Sequence, residues 1–308
     1  MKPPLLLTHG CSLSNLPLFV AAGAGLFAAE GLEVDVRQYD EISCTADALT
    51  SGVSELGTAA FTQPLIDAER PNPPRMVAGS GLMGISLLAA PEITTVAQLS
   101  GNAVATFPAD PLELLLHDCL TGAGLTATDV DIRCFDRIED AISAWRQDEV
   151  AALTLAEPHA TRVRDAGARE LSDGCELWGD GFPDTVLVAS ERLLAEQPEV
   201  VVAAIRAMLA GQASIQRDLA GSIELAGHHF PGFTLDELWR AASRQPPCID
   251  VRHLVSTVLG RWPALQALGH ASLGPAPTDA VQLDLLDAAL GLVHPPHRPF
   301  VPRGVLTS

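Results

Sequence analysis

The sequence predicts an α/β fold, chiefly because a strand, a helix and a second strand follow one another near its start. Residues 5–8 form an apolar run with the length of a buried strand. Residues 16–30 form an apolar helical stretch that Gly31 closes, as a left-handed C-cap requires. Residues 32–36 alternate apolar and charged side chains, which is the period of a β-strand. In a parallel unit of this kind the loop 9–15 lies at the carboxyl end of the sheet, where α/β proteins bind ligands.

The alternation of strands and helices continues along the chain. Apolar runs predict further strands at 55–61, 75–80, 85–90, 102–106, 130–135, 150–155 and 184–190. Helices are predicted at 112–121, 138–146, 198–220, 235–243, 251–259 and 280–292, before a Pro-rich tail at 295–302. With 308 residues the chain is long enough for one large domain or two medium ones.

The net charge of the chain limits the classes of binding partner that can be expected. The chain carries 19 Lys and Arg against 38 Asp and Glu, a formal net charge of −19. Nucleic acids and anionic membrane surfaces need clustered basic side chains, so neither is expected as a partner. Lys2 is the only lysine and stands at the terminus, which excludes a Schiff-base lysine.

No segment predicts export or membrane insertion. The first strand follows Met1 within a few residues, with no basic and apolar leader between them. Residues 16–29 are too few to span a bilayer, which needs about 20. We therefore expect a cytoplasmic protein if Met1 is the native start. If a leader was removed, the location would be periplasmic or extracellular.

Metal and cofactor chemistry is not expected either. The six cysteines have no metal-binding spacing, and most buried cysteines behave as small inert hydrophobes. His228 and His229 are adjacent, and neighbouring histidines alone make a poor chelate.

Residues 15–36, NLPLFVAAGAGLFAAEGLEVDV, resemble the opening of the type II periplasmic binding proteins. More narrowly, they resemble the branch of sulfonate-, taurine- and nitrate-binding proteins and thiamine-pyrimidine-synthesis proteins. Residues 93–101 resemble the start of that branch's second domain, and residues 156–158 resemble its cleft-facing Glu-Pro loop. The resemblance implies a two-lobed fold with an interdomain cleft, in which lobe I comprises 1–83 and 189–308 and lobe II comprises 84–188.

In this fold a ligand sits between the lobes, against loops at the carboxyl ends of strands. The corresponding loops of this chain carry small and polar side chains. The candidate ligand-binding residues are Ser12, Asn15, Ser43, Cys44, Thr45, Gln63, Phe107, Asp110, Glu157, Asp184 and Thr185.

Asp110 departs from the pattern of the branch, which usually has Ser or Thr there to hold an anion at a helix N-terminus. A carboxylate repels an anion at that place. Asp110 followed by Pro111 is also the pattern of an N-cap and a first helical residue, which is a structural interpretation of the same residues.

Cys11 is the candidate nucleophile. Cys11, Asn15 four residues later, and the helix and strand that follow resemble the opening of aromatic sulfinate desulfinase. That resemblance implies a catalytic thiol, and a thiol ahead of a helix N-terminus is expected to have a lowered pKa. The alternative is that Cys11 is a small residue tolerated in a ligand-binding loop.

The remaining catalytic parts would come from other loops. Backbone N–H groups at 12–15 and 43–45 would hold negative charge. The His and Arg of the desulfinase have no counterpart within 43–51, so His9 or His159 would transfer the proton.

Two functions stay open. The first is an intracellular enzyme, a lyase or hydrolase of desulfinase or decarboxylase type, that breaks a C–S or C–C bond in a small organic acid or aromatic substrate. The alternative is the solute-binding component of a nitrate-, sulfonate- or taurine-type ABC importer, with a permease as its partner, or a sensor derived from one. Thiamine-pyrimidine synthesis is not expected, because the chain lacks that enzyme's Cys-rich motif and its lysine.

Overall fold

The computed structural model describes residues 4–179 and 181–291. The Pro-rich tail predicted at 295–302 and Lys2 lie outside the described residues.

The described strands form two five-stranded sheets, with order β2-β1-β3-β10-β4 and β7-β6-β8-β5-β9. β1 is parallel to β2 and β3, which confirms the predicted parallel unit. The strands are β1 (Leu5–His9), β2 (Val34–Gln38), β3 (Leu56–Ala60), β4 (Pro74–Leu82), β5 (Ile85–Ala89), β6 (Ala103–Thr106), β7 (Asp131–Cys134), β8 (Ala152–Ala156), β9 (Arg169–Ser172) and β10 (Pro183–Ser190).

Helices cover both sheets. The helix predicted at 16–30 is two helices, because Gly25 adopts a left-handed conformation (φ 68°) that breaks it. The helices are α1 (Leu16–Gly23), α2 (Leu26–Ala29), α3 (Ile42–Thr50), α4 (Gln63–Ile66), α5 (Pro111–Gly122), α6 (Ile138–Arg146), α7 (His159–Asp165), α8 (Cys175–Trp178), α9 (Glu191–Glu196), α10 (Pro198–Arg217), α11 (Leu219–Ala226), α12 (Leu235–Ala242), α13 (Val255–Leu259), α14 (Trp262–Ala267) and α15 (Asp284–Ala289).

The chain crosses between the sheets twice. We use lobe I for the first sheet with its helices and lobe II for the second. The first crossing follows β4, at Gly84, where the backbone has φ 74° and a Cβ would lie 2.6 Å from the Gln245 side chain. The return precedes β10, which pairs with β3 and β4 along its length. The boundary predicted at 188/189 falls inside this strand, so the crossing lies before Pro183.

The C-terminal helices do not all pack on lobe I. α14 packs against α5 of lobe II, and Arg261 pairs there with Asp118 at 2.9 Å. α10 has the length and composition to cross a membrane. In this fold it is a core helix, because Val201, Ile205 and Met208 are fully buried in the lobe I core.

We expect Gly211→Ala to destabilise the protein. Gly211 lies where α10 meets α1, and a Cβ there would come within 2.5 Å of the Pro17 carbonyl oxygen. Overpacking of this kind costs about 1–3 kcal/mol of unfolding free energy, more than alanine gains in helix propensity. The midpoint of urea unfolding measures it. The control is Gly122→Ala in α5, whose Cβ would meet only Leu177 at 3.8 Å. Equal midpoints for the two variants would contradict the close α1–α10 packing.

Candidate functional site

A cavity of about 80 Å³ lies between the lobes, where β1 and β3 end and β10 begins. One water needs roughly 10–15 Å³ measured in this way, so the cavity accommodates a small ligand in the present arrangement of the lobes. Eight predicted site residues line the cavity: Cys11, Ser12, Asn15, Thr45, Gln63, Asp110, Asp184 and Thr185.

Asp184 is held on the lobe I side of the cavity and is 4% exposed. Ser12 Oγ donates to its Oδ2 at 2.8 Å, and Gln245 Nε2 donates to the same oxygen at 2.9 Å. Ser14 Oγ donates to Ser12 Oγ at 2.8 Å, and Thr185 Oγ1 donates to Ser14 Oγ at 2.7 Å. Burial raises the pKa of Asp184. The hydrogen bonds from Ser12 and Gln245 are both made to Oδ2.

Asp110 is the lobe II carboxyl of the cavity. It is the N-cap of α5, accepting from Leu112 N at 3.0 Å with Pro111 as first helical residue, as the structural interpretation of these residues predicts. Burial, and then the nearby Asp184 carboxylate, raises the pKa of Asp110 to about 7. Glu113 adds to the repulsion, and Glu113 in turn contacts His270 at 2.7 Å.

Two residues of the cavity wall carry buried hydroxyls that lack a hydrogen-bond partner. Thr45 is 7% exposed and Thr58 is 1% exposed, and both residues line the cavity. Their Oγ1 atoms make no hydrogen bond with the described residues. Buried polar atoms are rarely left unpaired, so these two hydroxyls beside the cavity are candidates for recognising a ligand.

Three backbone amides near the cavity are engaged by protein groups. Leu13 N donates to Glu157 O at 2.8 Å, and Ser14 N donates to Ser12 Oγ at 3.2 Å. Ser43 N donates to Asp136 Oδ1 at 2.9 Å. These amides were expected to hold negative charge, and in this structure they are engaged elsewhere.

Cys11 lines this cavity and also lines a second cavity of about 260 Å³, whose wall includes His159 and His229. Its Sγ contacts Tyr39 O at 3.4 Å and Asp40 Oδ1 at 3.5 Å. Burial, followed by the charge of Asp40, raises the pKa of the Cys11 thiol to about 12. The lowered pKa expected from the sequence is therefore wrong for this arrangement, because the neighbouring carboxylate and burial both disfavour a thiolate.

The candidate proton carriers are buried and neutral. His9 packs against Phe19, with ring centroids 4.7 Å apart, and its Nδ1 lies 2.9 Å from Gly10 O. Burial lowers the pKa of His9, and it lowers the pKa of His159 to about 4. Among the described contacts, neither imidazole hydrogen bonds to the Cys11 thiol.

Four predicted ligand-binding residues lie away from the cavity. Phe107 is fully buried in the core, and the Glu157 carboxylate is paired with Arg164 and accepts from Thr161 N at 2.9 Å. Ser43 Oγ donates to Asp136 Oδ2 at 2.7 Å. Cys44 is half-buried in α3 and does not line the cavity.

The lobes meet at the mouth of the cleft through the segments 40–43 and 136–137. Ile42 N donates to Asp136 O at 3.1 Å, alongside the Ser43–Asp136 hydrogen bonds. Arg137 pairs with Glu41 and lies 3.7 Å from Asp40. We call these contacts the mouth latch.

Sequence reasoning missed Thr58, Tyr39 and Asp40. Tyr39 and Asp40 directly follow β2, and the parallel register pairs His9 with Gln38, so the rule for strand carboxyl ends places them beside Cys11. Thr58 lies inside a strand, where no sequence signal separates a cavity wall from the core. In the described residues, no group of three or more His, Cys, Asp or Glu could hold a metal ion.

Comparison with known proteins adds the family. Residues 13–218 match the NMT1/THI5-like family. The chain belongs to this family. It is 23% identical over 242 residues to 4-amino-5-hydroxymethyl-2-methylpyrimidine phosphate synthase of Uromyces fabae, covering 72% of this chain and 69% of that protein.

Solved structures of small-molecule-binding proteins share the fold of this chain. The alkanesulfonate-binding protein SsuA of Xanthomonas axonopodis superposes with a TM-score of 0.78 at 19% identity, covering 92% of this chain and 99% of that one. The periplasmic nitrate-binding protein NrtA of Synechocystis superposes with a TM-score of 0.79 at 14% identity, covering 95% and 89%. The type II periplasmic-binding-protein fold is thereby confirmed.

The desulfurization enzyme DszB also shares the fold, with a TM-score of 0.70 at 15% identity, covering 94% of this chain and 99% of that one. Identities this low establish a common fold and leave ligand and activity open. The cytoplasmic location expected from the sequence has no support among the binding-protein neighbours, of which NrtA is named as periplasmic.

We expect Cys11 to be alkylated slowly. With a thiol pKa of about 12, only on the order of one molecule in 10⁴ carries the thiolate at pH 8. Peptide mass spectrometry should show at least about tenfold slower alkylation at Cys11 than at the exposed Cys134. Asp40→Asn removes a charge that raises the pKa and should accelerate the reaction at Cys11 alone. Faster alkylation of Cys11 than of Cys134 in the unmodified chain would contradict the raised pKa.

We expect Asp110→Asn to stabilise the protein above pH 7. A folded-state pKa of about 7 exceeds the ordinary value, so the folded state holds this proton more tightly and stability falls as pH rises through 7. Asparagine keeps the N-cap and stays neutral. Because Asp110 is only partly shielded from solvent, we expect a modest gain of about 1–2 kcal/mol at pH 8 and almost none at pH 4. Urea unfolding at both pH values measures the gain, and an equal gain at both would show that titration of Asp110 is not its cause.

Proposed function

We propose that the chain is a binding protein for a small organic molecule, held in the interlobe cleft and recognised chiefly by side chains of lobe I. The observation that carries the proposal is that two residues of the cavity wall, Thr45 and Thr58, have buried hydroxyls with no hydrogen-bond partner among the described residues. Such atoms cost stability in the folded protein unless something else satisfies them. A ligand between the lobes is the simplest group to do so.

The position of the cavity supports the same proposal. It lies against segments of both lobes, with Ser12 and Asp184 on one side and Asp110 on the other. In two-lobed proteins that close by hinge motion, a ligand that contacts both lobes favours the closed arrangement. The neighbours named as alkanesulfonate-binding and nitrate-binding proteins have this fold, and an ABC permease is the proposed partner. A ligand sensor derived from such a protein would use the cavity in the same way.

An enzyme is the second candidate, favoured by the place of Cys11 between the two cavities. DszB shares the fold, and the Uromyces fabae relative is named as a synthase. The protonated thiol weighs against nucleophilic catalysis in this arrangement. Incubation with candidate sulfinates and small carboxylic acids, followed by mass spectrometry of the small molecules, tests the enzyme. Product formed by the unmodified chain and lost in Cys11→Ser would establish it, whereas equal product from both would dismiss Cys11.

We expect Thr58→Val to weaken ligand binding while stabilising the protein. Valine keeps the shape of threonine and removes the unpaired hydroxyl, which is worth about 0.5–2 kcal/mol of unfolding free energy. Affinity for a ligand found in a thermal-shift screen of small organic molecules should fall by about 3-fold to 30-fold, because one hydrogen bond is lost.

Thr8→Val is the matched control. Thr8 is also fully buried on an adjacent strand of the same sheet, its Oγ1 has no partner, and it does not line the cavity. The Thr8→Val variant should unfold at a higher denaturant concentration than the unmodified chain and bind the ligand with the same affinity. If Thr58→Val bound as tightly as Thr8→Val, the cavity would not be the binding site, and if no molecule shifted the melting temperature, the proposed function would fail.

A further inference from the structure

We propose that the ligand is a small organic cation rich in N–H donors, such as an amine, amidine or guanidine, and not an anion of the sulfonate or nitrate type. This inference rests on the proposed function and names the chemical class that the same cleft accepts. It is carried by three features of the cavity wall: its charge, its engaged amides and its hydrogen-bond acceptors.

The charge of the wall is negative. Three carboxyl groups line the cavity, those of Asp40, Asp110 and Asp184. Among the described lining residues none is Lys, Arg or His. The Arg137 guanidinium at the mouth is already paired with Glu41. An anion entering this cavity would be repelled by each carboxyl that is ionised, whereas a cation would favour the ionised form of each carboxyl and pair with it.

Backbone amides do not offset this charge. Anion-binding proteins of this architecture can use the N–H groups at helix N-termini. Here the Asp110 carboxyl caps α5, and Ala109 N donates to Glu113 Oε2 at 2.7 Å. The amides of Leu13, Ser14 and Ser43 are likewise engaged by protein acceptors, as described above. The amides of Leu13, Ser14, Ser43 and Ala109 are therefore taken by protein acceptors, and the described lining residues include no basic side chain.

The cavity wall is rich in hydrogen-bond acceptors. The carboxyl of Asp184 accepts from Ser12 and Gln245 on Oδ2, and the carboxyls of Asp40 and Asp110 also line the wall. Gln63 gives one N–H of its side-chain amide to Asp67, which leaves its carbonyl oxygen and its second N–H. The hydroxyls of Thr45 and Thr58 can accept as well as donate. Carboxyl and carbonyl acceptors match a ligand with several N–H groups.

The two carboxyls on opposite sides of the cavity explain why such a ligand would also hold the lobes together. Asp184 belongs to β10 of lobe I, and Asp110 caps α5 of lobe II. The charge of Asp184 disfavours the ionised form of Asp110 across the cleft. A cation between them converts this repulsion into attraction to both lobes, so ligand charge and lobe closure are coupled. A metal ion is a weaker candidate, because no described cluster of ligating side chains has the required geometry.

The test compares cations with anions of similar size. Acetamidinium, methylguanidinium and ethylammonium chlorides are set against sodium acetate, methanesulfonate and nitrate. Melting temperature is recorded at constant ionic strength and pH 8, and affinity is measured by calorimetry. We expect the cations to raise the melting temperature and the anions to leave it unchanged. Affinity for the best cation should fall about 10-fold to 100-fold in Asp110→Asn and in Asp184→Asn, because each loses a charge-assisted hydrogen bond.

Asp148→Asn is the matched control, since it makes the same change of charge at an exposed residue remote from the cavity. It should bind the cation as the unmodified chain does. Asp110→Asn keeps the α5 cap, so it tests the proposal even if Asp184→Asn does not fold. Binding of an anion in place of the cations would overturn the inference and leave the proposed function intact. The inference would also be overturned if cations bound Asp110→Asn as tightly as the unmodified chain, or if no cation raised the melting temperature. The thermal-shift screen of small organic molecules tests the proposed function separately.

Discussion

The buried carboxylate of Asp184 is the interaction on which the geometry of the cleft depends. It accepts from Ser12 in the first loop of lobe I and from Gln245 in the C-terminal segment. Gln245 also donates to Met83 O at 3.0 Å, at the crossing between the lobes. One carboxylate thus ties together the ligand loop, the crossing and the C-terminal helices. A buried charge must keep such donors, because an unpaired one is costly, and this requirement fixes where the first loop can lie.

The local part of this architecture could be predicted from the sequence, because it is encoded by nearby residues. The parallel β1–β2 unit, the cleft loop after β1 and the Asp110 cap with Pro111 are all as the patterns predict. The long-range part could not. Glu157 follows a strand, as a cleft residue should, but Arg164, seven residues later, neutralises it, and only the folded chain shows which partner it takes. The environment of Cys11 is similar, since the pKa of its thiol is raised first by burial and then by the charge of Asp40, which follows the neighbouring strand β2.

Fold and the charge of the cleft wall separate clearly in this protein. The backbone superposes on binding proteins named for anions, with TM-scores of 0.78 and 0.79. The wall of its cleft nevertheless carries three carboxyl groups and no basic side chain among the described lining residues. A shared scaffold sets where a ligand sits, while a few loop side chains set its charge. Asp110 is the instructive residue, because a cap that stabilises α5 also places a carboxyl at the place where an anion would otherwise bind.

The mouth latch has a kinetic consequence. Ile42, Ser43 and Glu41 join Asp136 and Arg137 across the cleft, so the lobes part at this edge only after these bonds break. The contacts therefore add to the energy barrier of any hinge motion that separates the two segments. Because the ion pair in the latch is partly exposed, dissolved salt screens it. A rise in ionic strength therefore lowers this barrier and speeds the parting of the lobes.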